Sequence, residues 1–343
     1  MKTNIKFNLF LLLALLLSAC SPAATPTQPV DTAAPTPKQS AASATPAPTE
    51  PPQATATAAP SAAPAQPTDT PAPTATSAAG TTQSSPKTSD KDGAVEILIP
   101  AGEFTMGAVN DPDARIVLTK DHSYIEIPSF KYTLPDYWID KFDITNAQWQ
   151  KCVAAGACTQ EKTGLFSYPN YATDPKYANY PAVSITWYMA SAYCKWAGRR
   201  LPTEAEWEKA ARGTDARKYP WGNEPPDGTR ANFCNKDCPR PWATSVFDDG
   251  YAEMAPVGSY PKGASPYGVM DMAGNVWNWT STLLLNYPYN PNDGREDQKA
   301  PGDRVWRGGT WSDGTWWLRS SLRYHSPATY YITNLGARCA ESN

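Results

Sequence analysis

Residues Pro181–Gly213 read PAVSITWYMASAYCKWAGRRLPTEAEWEKAARG, and the punctuation of this stretch sets out two helices in succession. Ser184 or Thr186 supplies the cap for a helix running through Tyr193 and Trp196, and Gly198 stops it. Thr203-Glu204-Ala205-Glu206 is a capping box, in which the threonine hydroxyl accepts from the backbone N–H three residues on while the glutamate reaches back. The helix opened there ends at Gly213, the residue type that leaves a helix most easily. Further upstream, Thr145 caps a segment running through Trp149 to about Ala155. Elsewhere Gly, Pro, Asn and Asp interrupt the chain every few residues, and only short strands such as Val95–Ile99 and Tyr137–Ile139 fit between them. The expected product is an α+β domain, loop-rich, with short strands and a few helices, to which disulfides and bound ions are suited.

That domain is expected to span residues 94–343, and it holds all 13 Trp and all 18 Tyr. Residues 1–20, MKTNIKFNLFLLLALLLSAC, place Lys2 and Lys6 ahead of an apolar run, Phe7 to Leu17, too short to cross a bilayer as a helix. This is the pattern of an export signal, and Leu17-Ser18-Ala19-Cys20 resembles the lipobox of bacterial lipoproteins, with Cys20 as the lipidated residue. Residues 21–93 are nearly all Ala, Pro, Thr, Ser and Gln, with Val30 the lone sizeable aliphatic. Such a segment cannot bury enough apolar surface to offset its conformational entropy, so disorder is expected. As a Pro-rich tether it extends at most about 3.1 Å per residue, on the order of 200 Å in all. The expectation is an exported, membrane-anchored lipoprotein at the cell surface, its membrane contact made through the lipid on Cys20. With a net charge of −3 and no basic run, nucleic acid is not an expected partner.

Of the seven cysteines, six fall in the domain. Cys152 with Cys158, and Cys234 with Cys238, are near enough in sequence to close short loops, which would leave Cys194 to meet Cys339. A zinc reading of Cys234-Asn235-Lys236-Asp237-Cys238 lacks a nearby histidine and a second cysteine pair.

Several segments carry a family resemblance: IPAGEFTMGA from Ile99, DITNAQW from Asp143, the Pro181–Gly213 stretch, YPWGN from Tyr219, APVGSYPKGASPYGVMDMAGNVWNWTS from Ala255, and RVWRGG from Arg304 followed by LGARCA from Leu335. In this order and spacing they resemble the formylglycine-generating enzyme (sulfatase-modifying factor) family, whose fold is a variant of the C-type lectin fold. The resemblance implies two calcium sites. One would use the side chains of Asn232 and Asp249 with the carbonyls of Phe233 and Tyr251. The other would use Asp271 and Asn278 with the carbonyls of Gly274 and Val276, in an irregular loop able to aim carbonyls at an ion that takes roughly six to eight oxygens. Asn278 stands where the family carries Glu, so weaker calcium binding, or none, is expected there. The resemblance also implies the Cys194–Cys339 disulfide.

In catalytic members the stretch after Arg-Gly-Gly carries two cysteines that bind copper and oxidise a cysteine of a sulfatase to formylglycine. Here no cysteine lies between Cys238 and Cys339. Copper(I) needs soft thiolates, which Ser, Thr and Asp do not replace, so copper is not an expected cofactor. Cys234 and Cys238 are expected to lie away from the groove. A second branch, the sulfoxide synthases of thiol-histidine biosynthesis, adds an N-terminal histidine and carboxylate iron site, whereas this chain has only His122 and His325. No nucleophile elbow or phosphate-binding glycine loop is present, and the carboxylate pairs Asp248/Asp249 and Glu204/Glu206 read as a turn and a helix face.

The expectation is therefore a non-catalytic binding or structural module. Its ligand, a protein, peptide or carbohydrate, would meet Trp311, Asp313, Trp316, Trp317, Arg319, Arg323 and Tyr324, since exposed aromatics and arginines supply binding energy. Trp277, Trp279, Arg307 and Arg338 are assigned to the core. Two other functions fit the resemblance: an oxidase or other enzyme modifying exported proteins, and a receptor diversified by a retroelement.

Overall fold

The computed structural model describes residues 84–343, apart from 110, 112–113, 115–125, 161–167, 169, 239, 242 and 244–245. The signal-like segment, Cys20 and residues 21–83 lie outside the described residues. Helix α1 (Asn146–Ala154) starts from Thr145, whose hydroxyl accepts from the Gln148 N–H while the Gln148 side chain accepts from the Thr145 N–H. Helix α2 (Trp187–Trp196) uses Thr186 rather than Ser184, because the Thr186 hydroxyl is the one that accepts from the Met189 N–H. Helix α3 (Glu204–Arg212) carries the predicted capping box and ends at Gly213, at φ 70. All of its residues are buried, so its charged side chains require partners inside the protein.

Among the described residues there are ten short strands. Strands β1 (Lys87–Thr88), β2 (Val95–Ile99), β5 (Tyr137–Asp140) and β10 (Ala340–Ser342) form one antiparallel sheet in the order β1-β2-β5-β10. Strands β3 (Gly102–Met106) and β4 (Phe130–Leu134) form a hairpin-like pair. A third sheet has the order β8-β7-β6-β9, built from β6 (Trp277–Leu283), β7 (Asp303–Arg307), β8 (Tyr324–Pro327) and β9 (Leu335–Ala337). Within it β6 and β9 run parallel, with Asn278 opposite Gly336.

The fold begins upstream of the boundary expected at residue 94. Lys87 pairs with Glu96 across β1 and β2, and the buried Asp92 forms an ion pair with Arg199. A two-residue strand in a polar stretch leaves no hydrophobic alternation to read, which is why the sequence pattern places it in the tether.

One apolar core gathers Trp149, Tyr193, Trp279, Leu335 and Ala337 between α1, α2 and the third sheet. A second gathers Ile99, Phe104, Ile139, Trp207 and Met272 around α3. Three disulfides brace the loops: Cys152–Cys158, Cys234–Cys238 and Cys194–Cys339. The last joins α2 to the residue before β10 across a separation of 145 residues. In the chain-entropy account a loop of that length stabilises by about 5 kcal/mol.

Candidate functional site

After β7 the chain reverses at Gly308-Gly309. Gly309 has φ +73, and a Cβ there would lie 2.8 Å from the Trp317 carbonyl, so glycine lets the following 3-10 turn, Thr315–Leu318, fold back over the sheet. That turn delivers Trp316 and Trp317 above Trp277 of β6, Trp306 of β7 and Tyr324 of β8. Three of the ring pairs are near-perpendicular, Trp316 to Trp317 at 89° and 4.9 Å, Trp277 to Trp317 at 90° and 6.0 Å, and Trp306 to Tyr324 at 87° and 4.8 Å, while Trp277 and Tyr324 are tilted at 32°. Together with Asp313, Tyr330, Ile332 and Asn334 they line a cavity of about 570 Å³, within the range of small-molecule sites.

Among the described residues lining this cavity, Asp313 is the one charged side chain. Its Oδ2 is buried without a hydrogen-bond partner, as are Asn334 Oδ1 and Trp306 Nε1. Burial pushes the Asp313 carboxyl up to about 7, against the opposing pull of hydrogen bonds from Thr310 and the Trp277 indole and the charge of Arg240.

The cavity does not include every residue expected there. Trp311 is buried in a separate cluster with Tyr171, Tyr177, Val183, Met254 and Val276. Arg319 is fully buried, gripping Glu126 with both guanidinium arms at 2.7 Å while its guanidinium lies 4.5 Å from the Trp316 ring, beneath the pocket wall. Arg323 is likewise buried, held to Glu204 at 2.8 and 2.9 Å. These three side chains serve the fold: the Trp311 indole is packed in its own apolar cluster, and each buried guanidinium is taken by a carboxylate before any ligand can reach it. The Glu204/Glu206 pair read as a helix face is accordingly buried, Glu206 accepting from the Thr203 N–H and from Arg200, and Glu208 of the same helix is paired with Arg307 and Arg212.

Asp313, Trp316, Trp317 and Tyr324 do come together. Trp277, assigned to the core, is buried yet also lines the pocket. Trp306, Tyr330, Ile332 and Asn334 complete it without having been singled out in the sequence, since they come from separate segments whose meeting depends on sheet order.

The cysteines are not arranged for copper. All six of the domain are joined in disulfides, and the cavity lining is indole, phenol, carboxylate and amide. The Cys234–Cys238 loop does not lie away from the groove as expected: the Cys234 N–H donates to the Asp313 carbonyl at 2.8 Å. Its sulfurs are nonetheless bonded to each other, which leaves no thiolate to offer a metal.

The two loops read as calcium sites differ. In the first, Asp249 accepts from the N–H groups of Phe233 and Tyr251, both at 3.0 Å, and the Asn235 amide bridges Asp249 and the Tyr251 carbonyl. Asn232 Oδ1 is buried with no partner, and burial raises the Asp249 carboxyl to about 6. The orphan Asn232 oxygen, the Asp249 carboxylate and the Phe233 and Tyr251 carbonyls are the oxygen donors a hard cation takes, provided the Asn235 amide moves aside. In the second loop, Asn278 Oδ1 already accepts from Trp207 Nε1 at 3.0 Å and Arg338 Nε at 2.7 Å. Asn278 Nδ2 donates to Asp143, and Arg338 also donates to the Asp271 carbonyl. With the Asn278 oxygen already taken by an indole and a guanidinium, and a cationic side chain against the loop, this donor set does not fit calcium. Gly274 of that loop, at φ +81, is instead packed so that a Cβ would lie 2.1 Å from the Asn232 carbonyl.

Residues 81–343 match the sulfatase-modifying factor enzyme 1-like domain. Hercynine oxygenase from Mycolicibacterium smegmatis is 33% identical over 262 residues, covering 66% of this chain and 56% of that protein. The formylglycine-generating enzyme of Mus musculus is 30% identical over 293 residues, covering 71% of this chain and 73% of that one. The chain thus spans a little over half the length of the first relative. Among solved structures, PvdO from Pseudomonas aeruginosa superposes with a TM-score of 0.60 at 25% identity, over 77% of this chain and 100% of that one. The Treponema denticola variable protein 1, at 18% identity and a TM-score of 0.52 over 76% of this chain and 99% of that one, shares the fold.

Proposed function

The chain belongs to the sulfatase-modifying factor enzyme 1-like family, and from that premise we propose that it is a non-catalytic binding module, lipid-anchored at Cys20 and displayed at the cell surface, whose ligand enters the pocket of Trp316, Trp317 and Tyr324. The observation that carries this reading is the fate of the cysteines. Six are consumed in disulfides, and the segment that lines the pocket offers Asp313 and indoles where copper chemistry requires thiolates. Copper-dependent formylglycine generation therefore has no thiolate pair to use on these residues, and the histidine and carboxylate iron site of the sulfoxide synthase branch would have only His122 and His325 to draw on. Disulfides and a Pro-rich tether fit an exported protein. Calcium at the Asn232/Asp249 loop is part of the proposal, as a structural ion.

The test is direct. Incubated with copper, oxygen, a thiol reductant and a cysteine-containing sulfatase-type peptide, the purified domain yields no aldehyde product by mass spectrometry. Turnover to formylglycine would overturn the reading and restore the oxidase alternative.

A further inference from the structure

Resting on the binding-module reading, we propose that the pocket takes a small, free organic ammonium ion, its charge held against Asp313 and its alkyl groups against the tryptophan and tyrosine faces. Three observations converge. Trp277, Trp306, Trp316, Trp317, Tyr324 and Tyr330 line one cavity, with Trp277 and Trp316 near-perpendicular to Trp317 and Trp306 near-perpendicular to Tyr324, while Tyr330 is tilted at 38° to Trp306, an arrangement that offers several π faces to one guest. Ring faces attract cations electrostatically, and Trp does so most strongly. Asp313, the one charged lining side chain among the described residues, is an anion, and its Oδ2 lacks a hydrogen-bond partner although it is buried.

A neutral ligand can donate a hydrogen bond to Oδ2 but leaves the charge unmatched, and an anionic ligand would be repelled by it. A cation removes the cost of burying the charge. Burial holds the Asp313 carboxyl near 7, and the Arg240 charge and the Trp277 and Thr310 hydrogen bonds oppose that effect without cancelling it, so a bound cation would favour the ionised form. The cavity of about 570 Å³ has room for a compact guest of this kind.

The experiment titrates the whole folded domain with choline and with its neutral carbon isostere, 3,3-dimethylbutan-1-ol, reading tryptophan fluorescence and heat. Choline is expected to bind saturably, and the isostere about tenfold or more weakly. Asp313→Asn, with its fold checked by circular dichroism, is expected to reduce that discrimination to about threefold or less. Should Asp313→Asn fail to fold, Trp316→Leu replaces it, with the same loss of preference expected.

Equal affinity for the two probes would overturn the ammonium assignment while leaving a binding pocket, and so would discrimination that survives Asp313→Asn. Absence of any saturable signal with either probe would also overturn it. Binding to phosphatidylcholine vesicles without binding of free choline would overturn the assignment to a free ligand. None of these outcomes depends on the aldehyde assay, so the failure of this inference and the failure of the non-catalytic reading are separately visible.

Discussion

On the inner side of the Arg304–His325 segment, Arg307, Arg319 and Arg323 reach down to Glu208, Glu126 and Glu204. On the outer side, Trp316, Trp317 and Tyr324 meet Trp277, Trp306 and Tyr330 around a cavity that holds Asp313. Both sides draw on the same few residue types within a short stretch. The difference lies in whether each charge finds its opposite inside the protein. These three guanidiniums are each matched to a carboxylate, and the pairs pin the segment to α3 and to Glu126, while the buried Arg304 is held by the carbonyls of Ser281, Asp297 and Ala300. Asp313 has hydrogen bonds to one oxygen and a buried, unpartnered second oxygen. A matched charge is architecture; an unmatched one at a cavity points to something that arrives later.

The largest test of this contrast removes one inner carboxylate. Glu204→Gln takes away the anion that Arg323 grips and that lies 3.8 Å from Arg295. Breaking one side of a buried pair costs about 3–5 kcal/mol, and the urea midpoint should fall accordingly. A loss under about 1 kcal/mol would mean that the inner layer does not hold the segment.

The outer acid should respond in the opposite direction. With Asp313 raised to about 7 from an ordinary 3.8, the folded state holds its proton more tightly than the unfolded chain does. The protonated form therefore favours folding fully below about pH 4, and that advantage is lost as pH rises through 7. Asp313→Asn removes the cost, so the variant should match the wild type at pH 4 and exceed it at pH 8 by a few kcal/mol, ~4 at most. Thermal unfolding across that range measures the difference, in which the other buried acids cancel. A variant less stable than wild type at pH 8 would place Asp313 with the inner, structural charges.

How much of this was legible in the sequence follows from the range of the interactions. Caps are local, so Thr145, Thr203 and Glu206 announced their helices, and the positions of Cys152 and Cys158, six residues apart, announced their bridge. Which side of the C-terminal segment a residue faces is not local. Arg319 and Arg323 look like contact residues until Glu126 and Glu204, more than a hundred residues away in sequence, are brought beneath them. Tyr330 and Asn334 join the pocket only because β9 runs beside β6. The Asn278 substitution was readable as a lost charge, but not as an oxygen taken up by Trp207 and Arg338.

The two calcium-type loops repeat the contrast at smaller scale, one with an orphan oxygen and one without. Calcium at about a hundred times its Kd should stabilise the domain by roughly 2–3 kcal/mol through the first loop. Asn232→Ala should abolish that gain in a thermal scan, and Asp271→Asn should leave it intact. An ion effect that follows Asp271 instead would reverse the assignment of the two loops.

The smallest expected effect on stability is the sharpest separator of the two sides. Tyr330 is 40% exposed and touches the pocket from its rim, its ring 5.9 Å from Trp306. Tyr330→Ala removes a half-wet side chain and leaves no closed cavity, so the unfolding midpoint should shift by no more than about 1 kcal/mol. The same change deletes one face of the cage and should weaken choline binding by about threefold to tenfold, since a ring over a desolvated cation contributes on the order of 1 kcal/mol. Stability and affinity measured on one preparation decide the matter. If both fall together, Tyr330 belongs with the inner layer; if affinity falls while the midpoint holds, the outer side is a surface maintained for a ligand, because packing alone gives no reason to leave aromatic rings half-open around an acid whose second oxygen is buried and unpartnered.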